Sequence, residues 1–356
     1  MRRIAVIGGG LAGLVVGFRR LAAGDRVLLF EAGSRLGGQL HTERTDGFTV
    51  EHGAEGFVAG SEAVRVLAGD LGIESDLVGQ LVTKNYAFDG RTLVELRPGE
   101  AGELLGFQVA RRELGKGIGS FRLGMGELSD TLAEKLRGGA DTRLGARVTR
   151  ITASGAAWRI ETDTGGADEA DAVVVATSAA AASSVLSPAF GDAASEAAQA
   201  PTLSSVTVSL NYVRRDIDHP LDGTGFVVAE SAQDEGFRAC TFASSKLPER
   251  APADHALLRV FFRPSPSDDA LSNDAFAARA ERALGRALRL QGGFERAFVS
   301  RWPDALPVYD DQHRERVERL EATLAGRGVF LAGSAFHGSG IDAAIRSADT
   351  ASRALG

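Results

Sequence analysis

The chain opens on an apolar run, Arg3 to Ile7, which passes at once into glycines and then into apolar residues at helical spacing from Leu11 to Leu21. A short β-branched run predicts a strand buried on both faces, and the change to a 3.6-residue period predicts a helix after it. A second apolar run, Arg26 to Phe30, predicts another strand, so residues 3–30 read as strand, tight turn, helix, strand. Farther on, Ala146 to Ile151 alternates, Ala172 to Ala176 reads as a buried strand ending at Thr177, and Gly328 to Ala332 reads as a small strand. A last helix carries Ile341, Ile345 and Ala348 on one face, with Ser339 as N-cap and Asp342 three positions later in the pattern of a capping box. Between these pieces, runs such as Val206 to Leu210 and Leu257 to Phe262 predict strands, and Asn273 to Leu290 predicts a helix. Gly138-Gly139, Gly165-Gly166 and Pro264-Ser265-Pro266 read as surface turns, and no internal repeat is present.

Composition narrows the classes. A length of 356 residues with 44% hydrophobic content predicts two domains. The stretch Ile4 to Val16 is broken by Gly8, Gly9, Gly10 and Gly13 and falls short of the ~20 apolar residues of a membrane helix. No other stretch is apolar enough over a bilayer's length, so a cytoplasmic protein without membrane association is expected. The single cysteine, Cys240, excludes a disulfide framework, and a formal charge of −7 argues against nucleic acid as a partner. The histidines His41, His52, His219, His255, His313 and His337 have no metal-ligand spacing, so no metal is expected.

The glycines carry the first chemistry. Gly8, Gly10 and Gly13 form G-x-G-x-x-G between strand and helix. The first allows the turn, the second lets a pyrophosphate approach the backbone, and the third lets helix and strand pack closely. Glu31, at the end of the second strand, stands where a carboxylate would accept ribose hydroxyls. Dinucleotide binding follows, with the helix start as the anion site.

The next segment, Ser34 to Thr42, contains Arg35, Gly37 and Gly38 as R-x-G-G. With it the chain resembles the flavin-containing amine oxidoreductase superfamily, although Gln39 stands where relatives carry arginine. GFTVEHGAEGF (47–57), GMGEL (124–128), Thr202 to Tyr212, His219 to Val228, SSKLP (244–248) and RWPDALPVY (301–309) resemble, in order, segments of its protoporphyrinogen oxidase-like branch. The resemblance implies an α/β protein: a discontinuous, GR2-like Rossmann-type FAD-binding domain (1–80, 117–200, 301–356) and a mixed-sheet α+β substrate domain (81–116, 201–300). It further implies FAD held by Gly8, Gly10, Leu11, Ala12, Gly13, Glu31, Ala32, Arg35, Gly37, Gly38, Gly53, Ala54, Val148, Thr177, Gly333, Ser334, Gly340 and Ile341. His52, Arg97, Tyr309, Phe336 and His337 are the pocket candidates, with Arg97 as a possible anion clamp. Lys246 reads as part of a solvated turn.

The branch inserts a helical, membrane-embedding segment where this chain has only Arg97 to Phe121, including Leu104, Leu105, Phe107, Arg111, Arg112 and Lys116. A solvent loop is expected there, with the pocket open, reshaped or closed by another subunit or a second copy. Three functions remain open. The first is an FAD-dependent oxidoreductase removing hydride from a small cyclic, nitrogen-containing metabolite, with molecular oxygen as acceptor. The others are a genuine porphyrinogen oxidase without its membrane segment, and a non-catalytic FAD-binding subunit.

Overall fold

The N-terminal strand, turn and helix form as the pattern requires. In the computed structural model, which describes residues 1–106 and 115–356, they are Arg3–Ile7, Leu11–Ala22 and the second strand Arg26–Phe30. These strands join a five-stranded parallel sheet in the order Ala140–Arg143, Arg26–Phe30, Arg3–Ile7, Ala172–Val175, Val329–Leu331. Successive residues of the first strand feed opposite cores, as an unbroken β-branched run demands. Ile4 and Val6 pack beneath the helices Leu11–Ala22, Gly126–Leu136 and Ile341–Ala354. Ala5 and Ile7 pack toward a three-stranded antiparallel meander starting at Val148, and toward the helices Ala179–Ala197 and Asp311–Leu324. The sheet thus takes its middle strands from the N-terminus and residues 172–175 and an edge from residues 329–331.

The second sheet has seven strands, ordered Arg296–Pro307, Thr202–Val213, His255–Phe262, Phe237–Phe242, Gly223–Val228, Lys84–Phe88, Leu93–Leu96. Only the pair Gly223–Val228 and Lys84–Phe88 is parallel, so the sheet is mixed. One face is apolar: Val206, Val208, Leu258, Val260 and Phe262 bury against the helix Asn273–Ala287 through Phe276, Ala280 and Leu284. The boundary expected at residue 301 falls inside a strand, because Arg296–Pro307 stays paired to Thr202–Val213 as far as Pro307.

Two sequence readings need correction. The last helix begins at Ile341 with Gly340 as N-cap and no side-chain cap, so Ser339 does not cap it. Gly340 takes φ +94°, and Asp342 is engaged instead by Ser61 and Arg346. Within the interval 97–121, a short helix Glu100–Leu104 and the strand Ile118–Phe121 form, while Phe107, Arg111 and Arg112 lie outside the described residues. Among the described residues no helix is long and apolar enough to cross a membrane.

Candidate functional site

At the carboxyl ends of the parallel strands, three glycines behave differently, and the difference maps a cradle. A Cβ on Gly13 would lie 1.9 Å from Gly8 O, and one on Gly8, whose φ is +107°, would lie 2.4 Å from Ala176 O. Both positions therefore exclude side chains for the fold's own sake. Gly10 is not crowded: a Cβ there meets only Gly38 Cα at 3.9 Å, so the side chain would project into the space over the helix start. The N–H groups of Leu11, Ala12 and Gly13 have no intrahelical acceptor and open onto that space.

The R-x-G-G segment is laced to this turn. Gly37 N–H donates to Gly9 O at 2.8 Å, and a Cβ on Gly38 would lie 3.0 Å from Gly10 Cα. Arg35 spends its guanidinium on the carbonyls of Leu36, Gly38 and Leu40, shaping the loop. Gln39 reaches across to donate to Ala305 O at 2.9 Å, joining the loop to the seven-stranded sheet. Glu31 accepts from Gly9 N–H at 2.7 Å and Gly33 N–H at 2.6 Å, which fixes its carboxylate beside the turn. Ala32 follows it in the chain, Val148 is buried at the start of the meander, and the Thr177 methyl borders Gly8.

The C-terminal segment meets the same place. Gly333, at φ +102°, faces Ala12, whose Cβ would be 3.4 Å from a Cβ added there, and its N–H donates to Ser347 Oγ at 2.6 Å. Ser334 O accepts from the Tyr309 hydroxyl. Beyond them Gly340 has nothing within 4 Å of a notional Cβ, so the helix start at Ile341 is a second open N-terminus. Segments from opposite ends of the chain thus meet where Gly333 faces Ala12.

The Ile341 helix start borders a cavity of about 1740 Å³, which Gln39 also lines. One wall is formed by Gly53 to Ser61 and Gly338 to Ala343; the other is the non-core face of the seven-stranded sheet. Strand alternation supplies that face, and register aligns it in two rows. Ser209, Arg259, Thr241 and Gly225 form one; Thr207, Phe261, Ala239 and Val227 form the other. Arg259 is buried, donates to Gly53 O and lies over the Phe261 ring at 4.8 Å.

Lys246 does not sit in a solvated turn. Its ammonium is 3.0 Å from Glu55 Oε2, with side-chain exposures of 12% and 10%, and both residues line the cavity. Burial works against a charged Glu55, but Lys246 and Arg259 outweigh it and hold the carboxyl below its ordinary pKa. Behind this wall Glu51 accepts from Met125 N–H and Thr42 Oγ, both at 2.7 Å, and burial raises its pKa to about 7.

Of the pocket candidates, Tyr309, Phe336 and His337 line the cavity. His52 and Arg97 are not among the lining residues. His52 is held behind the wall between Ser300 and Glu43, stacked on His41 at 4.4 Å, and its carbonyl accepts from Trp302 Nε1. Arg97 has an 81% exposed side chain beside Glu100. Sequence reasoning missed Glu55, Arg259 and His313, which line the cavity. A single arginine within Leu257 to Phe262 was the available signal: an alternating strand interior tolerates a charge only on a face that something polar meets.

The sequence profile described as "Flavin containing amine oxidoreductase" matches residues 11–114 and 94–356. The coproporphyrinogen III oxidase of Bacillus subtilis is 24% identical over 449 aligned positions, covering 96% of this chain and 95% of that protein. That of Propionibacterium freudenreichii is also 24% identical, over 97% and 89% of the two chains. A crystal structure from Exiguobacterium sp., provisionally called a protoporphyrinogen oxidase, superposes with a TM-score of 0.84 at 23% identity, covering 99% of this chain and 98% of that one.

Proposed function

The chain belongs to the flavin-containing amine oxidoreductases and is a flavin-dependent oxidoreductase of their protoporphyrinogen oxidase-like type, and from that premise we propose that it binds FAD and removes a hydride from a small cyclic, nitrogen-containing substrate. The observation that carries the proposal is a cavity lined by the Ile341 helix start, by a sheet face with polar side chains, and by Gln39, the neighbour of the Gly38 that faces Gly10. At about 1740 Å³ it exceeds the ~300–1,000 Å³ of a one-ligand pocket, which suits a cofactor ring together with a substrate.

The residues present fit FAD. The open space over Gly10, the amides of Leu11 to Gly13 and the fixed Glu31 carboxylate suit a dinucleotide's pyrophosphate and ribose, and the uncrowded Gly340 leaves the Ile341 amide approachable. Bound FAD would supply a two-electron acceptor. The protein's own part is positioning and charge. The Ile341 helix start presents a positive dipole end to developing negative charge. Phe261 and Trp302 provide apolar surface that excludes water, and Lys246 with Glu55 forms a buried pair able to hold a proton at the cavity wall. Molecular oxygen as terminal acceptor and a cytoplasmic location complete the reading.

A second reading, oxidation of a porphyrinogen, is favoured by the names of the relatives. Against it stands length: an alignment of 449 positions with a chain of 356 residues leaves a segment of the relative without a counterpart. Anaerobic mixing with coproporphyrinogen III separates the two. An unchanged flavin absorbance band supports the smaller substrate; rapid bleaching of that band establishes the porphyrinogen and overturns it.

A further inference from the structure

The proposed function leaves open what distinguishes the substrate at the part of the cavity lined by Arg238 and Arg263. We infer that Arg238 and Arg263 form a clamp for an anionic group there, so that the substrate is an elongated molecule with a flat apolar body and a terminal carboxylate. The inference rests on the reading of the cavity as a flavin enzyme's substrate site.

The strand His255–Phe262 acts as a ruler. Leu258, Val260 and Phe262 face the core, while Arg259, Phe261 and the following Arg263 face the cavity. Arg259 is fixed at the inner end by its bond to Gly53 O. Four residues of strand carry the chain about 13 Å to Arg263. Between them Phe261, Ala239 and Val227 make an apolar strip one row wide.

Arg238 reaches this end because of a β-bulge. Register shifts between Phe237 and Ala239: Phe237 pairs with Phe262 and Ala239 with Phe261, leaving Arg238 unmatched. Before the bulge Phe237 is in the core; after it Cys240 and Phe242 are, so Arg238 and Ala239 both line the cavity. A bulge re-aims a side chain in this way, commonly beside a site. The neighbouring backbones are locked together. Arg263 N–H donates to Gly236 O at 2.8 Å, and a Cβ on Gly236 would lie 2.1 Å from Arg263 O.

Two arginines are therefore rooted along one edge of an apolar strip. Arg238 donates to the Gln233 side-chain oxygen, a neutral partner. Among the described residues neither arginine forms an ion pair. Burial and the charge of Arg263 both lower the Arg238 pKa, and Glu230 opposes them without forming an ion pair with Arg238. An anion placed between the two would relieve that repulsion, and a carboxylate matches the planar fork of a guanidinium.

The test uses the flavin-loaded protein and two neutral-bodied probes, biphenyl-4-carboxylate and biphenyl-4-carboxamide, titrated by calorimetry. Two charge-assisted hydrogen bonds predict that the acid binds at least about tenfold more tightly than the amide. Arg263→Gln and Arg238→Gln should each reduce that preference, and together remove it, with Arg263→Lys retaining part. Arg263 is an exposed side chain, so its variants are expected to fold. Equal binding of acid and amide by the parent, or an undiminished preference in the Arg238→Gln/Arg263→Gln protein, overturns the clamp. Flavin content measured on the same preparations keeps the two readings apart: a yellow protein without the preference sinks the clamp alone, whereas a colourless protein that cannot be reconstituted sinks the flavin site.

Discussion

Breaking the Lys246–Glu55 pair offers a quantitative check on how the cavity wall is held. Glu55 Oε2 is bonded to Lys246 at 3.0 Å, and Glu55 Oε1 is buried without a hydrogen-bond partner. Lys246→Met therefore leaves a buried carboxylate with only the more diffuse influence of Arg259 and Arg250. Removing one partner of a buried pair destabilises by about 3–5 kcal/mol. In a chain larger than 250 residues this corresponds to a fall in melting temperature of roughly 5–10 °C. The double variant Lys246→Met/Glu55→Leu removes both charges and should recover most of the loss, giving a strongly non-additive cycle. The pH dependence follows the same logic. Glu55 is depressed in the folded parent, so its contribution is present above the unfolded carboxyl pKa and lost as pH falls through the folded value. Burial is already the largest single influence on Glu55; without Lys246 it loses its strongest opponent, the Glu55 pKa rises, and this acid-side loss shrinks. Melting by scanning calorimetry between pH 4 and 8 is the assay. A Lys246→Met protein as stable as the parent, or a double variant less stable than Lys246→Met alone, would refute the reasoning.

Three further outcomes are expected. Gly10→Val should fold with a loss of about 1 kcal/mol, the order of a poorer N-cap, yet retain no flavin, whereas Gly13→Val should fail to fold because its Cβ would lie 1.9 Å from Gly8 O; flavin content and circular dichroism read both, and a yellow Gly10→Val protein contradicts the phosphate turn. Glu51 has its pKa raised from 4.5 to about 7, so it favours the fold when protonated, and stability should fall as pH rises from about 4.5 through 7, by up to ~3 kcal/mol. Glu51→Gln should remove that slope, and an unchanged slope in melting curves argues against the assignment. His52→Gln should lower the melting temperature while leaving substrate KM unchanged, since His52 bridges Ser300 and Glu43 behind the wall; steady-state kinetics showing the reverse would place it in the site.

The glycine turn was legible because its constraints are local. Gly8 and Gly13 are required by contacts within one strand–turn–helix unit, and a spacing pattern records such contacts directly. The sheet face was not legible, because its rows are assembled from strands that are distant in sequence. Alternation alone would set Phe237, Ala239 and Thr241 on one side and Arg238, Cys240 and Phe242 on the other. The bulge breaks that parity and turns Arg238 inward. Lys246 looked solvated because Ser244-Ser245-Lys246-Leu247-Pro248 has the composition of a turn, and the carboxylate that buries it comes from Glu55. Ser339 and Asp342 fit a capping box by spacing, but a positive φ at Gly340 moves the helix start past Ser339. Local steric rules thus gave the glycine turn, and long-range pairing decided the sheet face that walls the cavity.

The central claim is that helix starts near the two ends of the chain jointly hold one flavin dinucleotide. Titration of flavin-free protein with FAD and, separately, with FMN, followed by quenching of flavin fluorescence, tests it most directly. Saturation at one FAD per chain, with FMN much weaker because it lacks the adenosine phosphate that Glu31 and the Gly10 turn would grip, is the predicted result. Equal affinity for both, or no saturable binding of either, would contradict it.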